Sequence, residues 1–364
     1  MPMRNTAIAT CLLTVAAAAA LPAHAEMMIG GYGPSTAQGN PLNRFSADAQ
    51  GSDAPIARIA GAGTQLYQPA FGVYEPDEGV IYISDFDGRA IRVYSATATG
   101  NAAPIRVINP PSIAQTRANA PISAHGELGV IVSNCCIATF PLRANGNDVS
   151  SIRAIDWGGG TNSTTKLFNP NALTYLPGSD EYVVIDNDPA PPQAARLVFH
   201  ARTANGNVAP TRLLTGAGVA YAVGLAHDRA THRLFVLRQA PPDVNDMQHG
   251  SIAVFDENAS GDAQPLTVIE GDATQLDLIS GQYWVGLGFD PYTSRLMASS
   301  NANSGNAALN RVILFDYAAG VGGNVAPVRQ LQGDNVSPYY PGVPFGVPAE
   351  IIFSSGFEAA QPPL

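Results

Sequence analysis

Acidic and amide side chains stand at the ends of several β-rich runs, where their oxygen atoms could bind a cation. Asp85 and Asp87 follow VIYIS, Asp186 and Asp188 follow YVVI, and Asn301 follows LMASS. Calcium takes six to eight oxygen ligands, so these side chains would suit it if the fold brought them together. Asp and Asn also form ordinary turns after strands. The pattern therefore supports two interpretations, a calcium site and a set of strand-ending turns.

Cys135 and Cys136 are adjacent, and Cys11 is the only other cysteine of the sequence. In an oxidising compartment the adjacent pair can join only to each other or to another molecule. Neighbouring Cα atoms lie about 3.8 Å apart, which is short for a disulfide. A vicinal disulfide and two free thiols on opposite faces of a strand end both remain open.

Other signatures of catalysis are missing from the sequence. There is no H-E-x-x-H spacing for zinc, no G-x-S-x-G nucleophile turn and no phosphate-binding Walker loop. His227 and His232 flank one predicted turn, and we interpret them as part of a solvated surface rather than a zinc site. Trp157, Tyr283 and Trp284 could stack on a flat ligand, although aromatic side chains more often fill a core.

A repeated strand–turn–strand unit would have to position these side chains. RLVFHARTANGNVAPTRLLTG (196–216) has relatives at 43–61, 90–110, 137–157, 251–271 and 311–333. Each copy has an aromatic residue on its first strand and a glycine in its turn, and all but one have proline four residues after the glycine. Such a glycine supplies the positive φ of a hairpin turn, and the proline predicts that the second strand lies at a sheet edge. The turn glycines are Gly51, Gly100, Gly146, Gly206, Gly261 and Gly323.

A looser pair of strands precedes each of these units, as in residues 68–88 and 169–188. Together they give four strands, a to d, repeated six times without helical periodicity. This predicts an all-β, six-bladed β-propeller of four-stranded antiparallel blades. The uniform c–d turns would then lie on one face, and the variable d–a and b–c loops on the other, where we expect any binding site.

The ends of the chain predict how the ring closes. Residues 27–45 match 297–315 in length and type, so they form strand b, a loop and strand c. Residues 343–349 offer a lone strand a. We therefore expect one blade to combine a C-terminal strand a with N-terminal strands b, c and d, leaving no long free edge.

The pattern G-L/V-x-x-D…L-Y/F-V…I-x-V-F resembles NHL-type and lactonase-like propeller repeats over about residues 27–353, although these repeats are longer than the usual NHL period. The resemblance implies a calcium-dependent hydrolase that uses Asp, Asn and Glu side chains at the channel. The glutamate expected at the start of a strand a is missing from this sequence. We therefore rank a non-enzymatic binding or scaffold protein first and the lactonase-like hydrolase as the alternative.

Both termini carry targeting features. Arg4, the apolar run 7–21 and the Ala23-His24-Ala25 cleavage site predict a signal peptide over residues 1–25. A single propeller domain is expected over 26–353, followed by a tail at 354–364. Residues 351–358, IIFSSGFE, resemble a C-terminal tail of some exported Gram-negative proteins, which implies a sorting or surface-retention role. The alternative is an ordinary final strand followed by a frayed end. We expect a periplasmic, extracellular or cell-surface protein.

Charge restricts the range of partners. The net charge is −10, with a single lysine, Lys166, and no basic block. Nucleic acid and anionic membranes are therefore unsuitable partners. Beyond the signal peptide no stretch is apolar and long enough to span a bilayer. We expect a monomer that binds a protein or a small molecule.

Overall fold

Five repeats of the sequence each fold into one antiparallel sheet in which strands a, b, c and d lie in chain order, and a sixth sheet takes its strand a from the last described strand of the chain. The computed structural model describes residues 25–33, 40–133, 135–156, 163–187, 195–302, 306–318 and 320–349. The expected C-terminal tail, and the signal peptide up to residue 24, lie outside these ranges. In the described part of the chain, no helix is long and apolar enough to cross a membrane.

Six such sheets form the blades, and they confirm the predicted all-β, six-bladed propeller. Blade 1 contains β27 (Phe345–Pro348), β1 (Ala25–Ile29), β3 (Leu42–Ser46) and β4 (Ala57–Ile59). Blade 2 contains β5 (Pro69–Glu75), β6 (Val80–Asp85), β7 (Ala90–Ser95) and β8 (Arg106–Ile108). Blade 3 contains β9 (Thr116–Ile122), β10 (Glu127–Val132), β11 (Cys136–Pro141) and β12 (Arg153–Ile155).

The second half of the ring repeats this order. Blade 4 contains β13 (Pro170–Leu176), β14 (Glu181–Asn187), β15 (Ala195–Ala201) and β16 (Arg212–Leu214). Blade 5 contains β17 (Ala222–Asp228), β18 (Arg233–Pro242), β19 (Met247–Asp256) and β20 (Thr267–Glu270), and the short β21 (Leu278–Ile279) also pairs with β19. Blade 6 contains β22 (Gln282–Asp290), β23 (Arg295–Ala302), β24 (Arg311–Asp316) and β25 (Arg329–Gln332).

A few short elements lie in the connections between the blade strands. The two-residue strands β2 (Gly31–Tyr32) and β26 (Tyr340–Pro341) pair with each other. Single 3-10 turns occur at Ala62–Thr64, Ser123–His125, Asp272–Thr274 and Ala307–Leu309.

The two ends of the chain meet in blade 1, as the sequence predicts. Strand β27 pairs with β1 in the register Glu26↔Val347 and Met28↔Phe345, and β1 pairs in turn with β3. The ladder is extended by a hydrogen bond from Gly342 N to Gly30 O (3.0 Å). The first and last described strands thus close the ring within one sheet.

The apolar core lies between the blades. Six clusters of buried side chains occur among the described residues, and each cluster joins two neighbouring blades. The cluster between blades 4 and 5, for example, includes Phe199 and Phe255. The aromatic residues of the c strands are all buried there, namely Phe45, Tyr94, Phe140, Phe199, Phe255 and Phe315. No blade can bury its own apolar faces, so the ring is one cooperative unit.

The turn glycines join neighbouring blades through backbone hydrogen bonds. Gly206 (φ 77°) donates its N–H to Ala154 O (2.6 Å) and accepts from Asp156 N (3.2 Å), on either side of Ile155 in the outer strand of blade 3. All six glycines named from the sequence have positive φ, and each forms the same bridge to the d strand of the preceding blade. The d strand is an edge, as the proline predicts, and the next blade's turn covers part of it.

Ion pairs add a second connection on the c–d face. Glu127, at the start of β10, accepts hydrogen bonds from Arg153 Nη2 (2.5 Å) and from Arg202 Nη1 of blade 4 (2.8 Å). Burial by itself would raise the pKa of Glu127, but these hydrogen bonds outweigh it and lower that pKa below the usual 4.5. The same arrangement joins blades 2 and 3 through Glu78, Arg106 and Arg143.

Removing β27 tests the closure of the ring. We expect a chain ending at residue 342 to lose cooperative folding, because blade 1 would lack its inner strand. A chain ending at residue 349 keeps β27 and should melt within about 2 °C of the intact protein. Circular dichroism melts of both truncations decide this. A 1–342 chain that melts like the 1–349 chain would show that closure does not depend on β27.

Glu127→Gln tests the ion pairs between blades 3 and 4. The lowered pKa means that the carboxylate contributes its stability fully above about pH 4.5 and loses it as the pH falls through the folded value. At pH 7 the variant should lose about 1–3 kcal/mol of unfolding free energy, and its stability should decline less below about pH 5. Urea unfolding from pH 7 to pH 3 measures both effects. Asp148→Asn, an exposed site on the same blade, is the control; equal pH profiles for the two variants would contradict the assignment.

Candidate functional site

The innermost strands of the six blades surround a central channel. Each contacts the next, from β5 through β9, β13, β17 and β22 to β27 and back to β5. Several of them carry a β-bulge near their first residue, and the residues at the bulges include Asn171, Val223 and Val285. A bulge redirects its side chain, and these three line the channel together with Phe71, Arg117 and Val343. The cavity among them measures about 190 Å³.

The channel opens into a wider cavity of about 460 Å³ on the face formed by the d–a and b–c connections. Arg117 and Val285 line both spaces, so the two are adjacent. The remaining wall comes from these connections, namely Gly33, Gln68, Phe86, Asn301 and Tyr340. We call this space the mouth cavity. It lies on the face that the sequence indicates for binding.

Arg117 is the cation of this site. Its Nη1 donates to Asn171 Oδ1, and its guanidinium carbon lies 5.5 Å from the centre of the Phe86 ring. Its Nε is buried and has no hydrogen-bond acceptor. Within the described ranges, no carboxylate forms an ion pair with Arg117. Asn301, which also lines the mouth cavity, has a buried Oδ1 without a hydrogen-bond partner.

Asp85 is fully buried beside the mouth cavity and is occupied by structural contacts. Its carboxylate accepts hydrogen bonds from Gln68 N (2.6 Å) and Tyr67 N (3.1 Å) and pairs with Arg92 Nε (2.7 Å). A Cβ at Gly88 would lie 2.0 Å from Asp85 Oδ2, so the carboxylate is covered on that side as well. Asp85 thus fixes the backbone of Gln68, whose side chain lines the mouth cavity and donates to Gly33 O (2.5 Å).

Asp186 repeats this arrangement in blade 4. It is fully buried and accepts hydrogen bonds from Phe168 N (2.6 Å) and Asn169 N (2.8 Å), and it pairs with Arg196 Nη2 (2.8 Å). Both aspartates therefore hold the chain that leads into an inner strand. This is the turn-forming role that the sequence offers as the alternative to metal binding.

The other predicted calcium ligands are Asp87, Asn301 and Asp188, and the described ones lie in different parts of the binding face. Asp87 is half-buried in the turn after β6, and Asn301 lines the mouth cavity. Asp188 lies outside the described residues. Over the described ranges, no group of three or more His, Cys, Asp or Glu side chains is arranged to hold a metal ion. A calcium site stays a prediction.

The candidate aromatic residues differ in exposure. Trp284 is 4 % exposed, donates its indole N–H to Leu276 O (2.8 Å) and lies under Arg311. Tyr283 is 45 % exposed and faces Asn301 across the β22–β23 ladder. Trp157 falls outside the described residues. Tyr283 is therefore the described aromatic of this set that a ligand on the surface could reach.

Cys135 and Cys136 are joined as a vicinal disulfide in the b–c turn of blade 3. Both are half-buried, and Cys136 packs against the cluster between blades 2 and 3. The pair lies on the same face as the mouth cavity but is not part of its lining.

The histidine pair lies on the opposite face. Glu257 bridges the two rings, with Oε2 at 2.9 Å from His227 Nε2 and Oε1 at 2.7 Å from His232 Nδ1. Burial lowers the pKa of His227, against the opposing effect of Glu257. We interpret the cluster as structural, because Glu257 O also accepts a hydrogen bond from Arg212 Nη2 (2.8 Å) at the junction of blades 4 and 5.

Sequence reasoning missed Arg117, Asn171 and Gln68. A signal was nevertheless present in the sequence. The inner strands of blades 5 and 6 carry Val223 and Val285 at their bulges, whereas those of blades 3 and 4 carry Arg117 and Asn171 at the corresponding positions. Two polar side chains at positions that face the ring axis mark the channel. Each bulge shifts the strand register by one residue, so the equivalent positions do not recur at the spacing that regular strands would give.

Comparison with known proteins supports the fold alone. No protein-family model matches the chain, and no curated protein matches it. Among solved structures, a chain from the crystal structure of a nidogen/laminin complex superposes with a TM-score of 0.55 at 13% identity, covering 88% of this chain and 98% of that chain. The WD40 domain of Toxoplasma gondii coronin gives a TM-score of 0.45 at 14% identity, covering 81% of this chain and 66% of that one. The first likeness agrees with a propeller.

Asp85→Ala tests the structural role of the buried carboxylate. The substitution leaves Arg92 buried without its partner and frees two backbone N–H groups, so we expect a loss of about 3–5 kcal/mol in unfolding free energy. Asp87→Ala, two residues away, should cost less than about 0.5 kcal/mol. Urea unfolding with calcium and with chelator measures both variants. Calcium stabilisation of the wild type that disappears in Asp87→Ala would instead show that this turn binds the ion.

Proposed function

We propose that this chain is an exported six-bladed propeller that binds a ligand or partner at the mouth cavity. The fold fits a binding or scaffold role, since propellers present irregular loops on a rigid frame. The mouth cavity is bounded by such loops, and the channel below it extends the available space to the ring axis.

A contrast between two sets of polar groups carries this proposal. The buried carboxylates Asp85 and Asp186 have their oxygens occupied by backbone N–H groups and arginines. Arg117 Nε and Asn301 Oδ1, which belong to side chains of the mouth cavity, have no partner. Buried polar groups are normally hydrogen-bonded, so unpartnered ones beside a cavity indicate where a ligand would bind.

Export and the finer family remain parts of the proposal. The signal sequence over residues 1–25 and the tail at 351–358 support secretion into the periplasm or to the cell surface. The strand pattern supports an NHL-type or lactonase-like propeller, and the hydrolase alternative rests on this resemblance. Fold likeness alone is no evidence for that activity.

A plug in the channel tests the proposed site. Val285 lines both cavities, so Val285→Trp should fill the passage between them. Val208→Trp, on the c–d turn of blade 4, makes the same change at an exposed position on the other face. The measurement is a ligand-observed NMR screen of small acids, amines, sugars and neutral aromatics. We expect some of these fragments to bind, to lose at least about tenfold in affinity in Val285→Trp, and to keep their affinity in Val208→Trp. Binders that respond equally to both variants, or an absence of any Val285→Trp-sensitive binder, would refute the site.

A further inference from the structure

We propose that the channel site selects a small organic anion, a monocarboxylate with a compact apolar body, through Arg117. This inference rests on the proposed function and names the chemistry of its ligand. It starts from the charges of the site. The chain has a net charge of −10, yet the described lining of the channel and of the mouth cavity contains one charged side chain, the cation Arg117.

Among the described residues, Arg117 differs from the other arginines whose buried Nε has no acceptor, because it has no carboxylate partner. A buried Nε without an acceptor also occurs at four arginines that each have a carboxylate partner. These are Arg44, Arg106, Arg153 and Arg329. Arg117 has the unpartnered Nε but, among the described residues, no carboxylate to compensate its charge. A partly buried charge without a partner is costly, and a bound anion would offset that cost.

The geometry of the guanidinium favours a carboxylate. Nη1 is held by Asn171 Oδ1, and the opposite face lies over Phe86, so the plane of the group is fixed from two directions. The remaining edge carries Nε and Nη2, whose parallel N–H groups match the two oxygens of a carboxylate. Such a pre-positioned fork loses little conformational freedom on binding.

The walls next to Arg117 favour an apolar body behind the carboxylate. Val223, Val285, Val343 and Phe71 also line the channel. A space of about 190 Å³ is small, so the apolar part must be compact. A ligand with one carboxylate and a single ring or short branched chain would bind Nε and Nη2 of Arg117 through the carboxylate and contact the apolar walls with its remaining atoms.

Benzoate is a suitable probe, with benzamide as its neutral isostere and acetate as the anion that lacks an apolar body. We expect titration calorimetry to show that benzoate binds at least about tenfold more tightly than either. Arg117→Gln should reduce benzoate affinity by at least about tenfold, and Arg117→Lys should reduce it less. Arg58→Gln, at an exposed arginine on blade 1, should leave benzoate affinity unchanged.

Several results would overturn the inference. Equal binding of benzoate and benzamide, equal binding of acetate, or unchanged benzoate affinity in Arg117→Gln would each do so. If Arg117→Gln fails to fold, NMR of the wild type decides, because benzoate must then shift the methyl signals of Val223 and Val285. A third outcome is that neutral or cationic fragments bind and lose affinity in Val285→Trp, while benzoate does not bind. That result would reject a carboxylate as the ligand but would keep the proposed site. If no fragment binds in that manner, the proposed site itself fails.

Discussion

The structure depends on the burial of apolar surface between blades. A four-stranded sheet of this chain has apolar side chains on both faces, and neither face is covered within its own blade. The six clusters of the core all lie between neighbours, so every blade is needed by two others. Because the ring has no end, its closure in blade 1 by strands from both termini completes the last two of these interfaces.

The repeated turn has a physical role within this arrangement. Each turn glycine adopts a positive φ that brings its backbone N–H and C=O onto the outer strand of the preceding blade. A short edge strand is thereby paired over part of its length, which limits pairing with other molecules. The ion pairs of Glu78 and Glu127 lie on the same face and join the same neighbours. This face is built for cohesion.

The opposite face carries the more variable connections. The connections there have different lengths, and they leave the mouth cavity above the channel. Asp85 and Asp186 fix the points where the chain enters two inner strands, and Asp85 thereby holds the backbone of Gln68 at the cavity wall. The bulges of the inner strands then turn Asn171, Val223 and Val285 towards the axis, beside Arg117. A rigid frame thus presents one cation in an apolar channel.

The architecture could be predicted from the sequence, because a propeller is periodic and each repeat has its own pattern of strand and turn residues. The glycine and proline positions set the c–d turns, the alternating apolar residues set the strands, and the matching lengths at 27–45 and 297–315 set the closure. The sequence did not decide the role of the aspartates, because the same pattern of a carboxylate after a strand occurs whether it binds a cation or accepts hydrogen bonds from backbone N–H groups. Which side chains meet at the channel could not be predicted in this way, because it depends on how the blades pack. Arg117 and Asn171 are 54 residues apart and belong to different blades, and one-residue bulges set their direction. Such contacts arise from the packing of neighbouring blades around the axis, which no local pattern encodes.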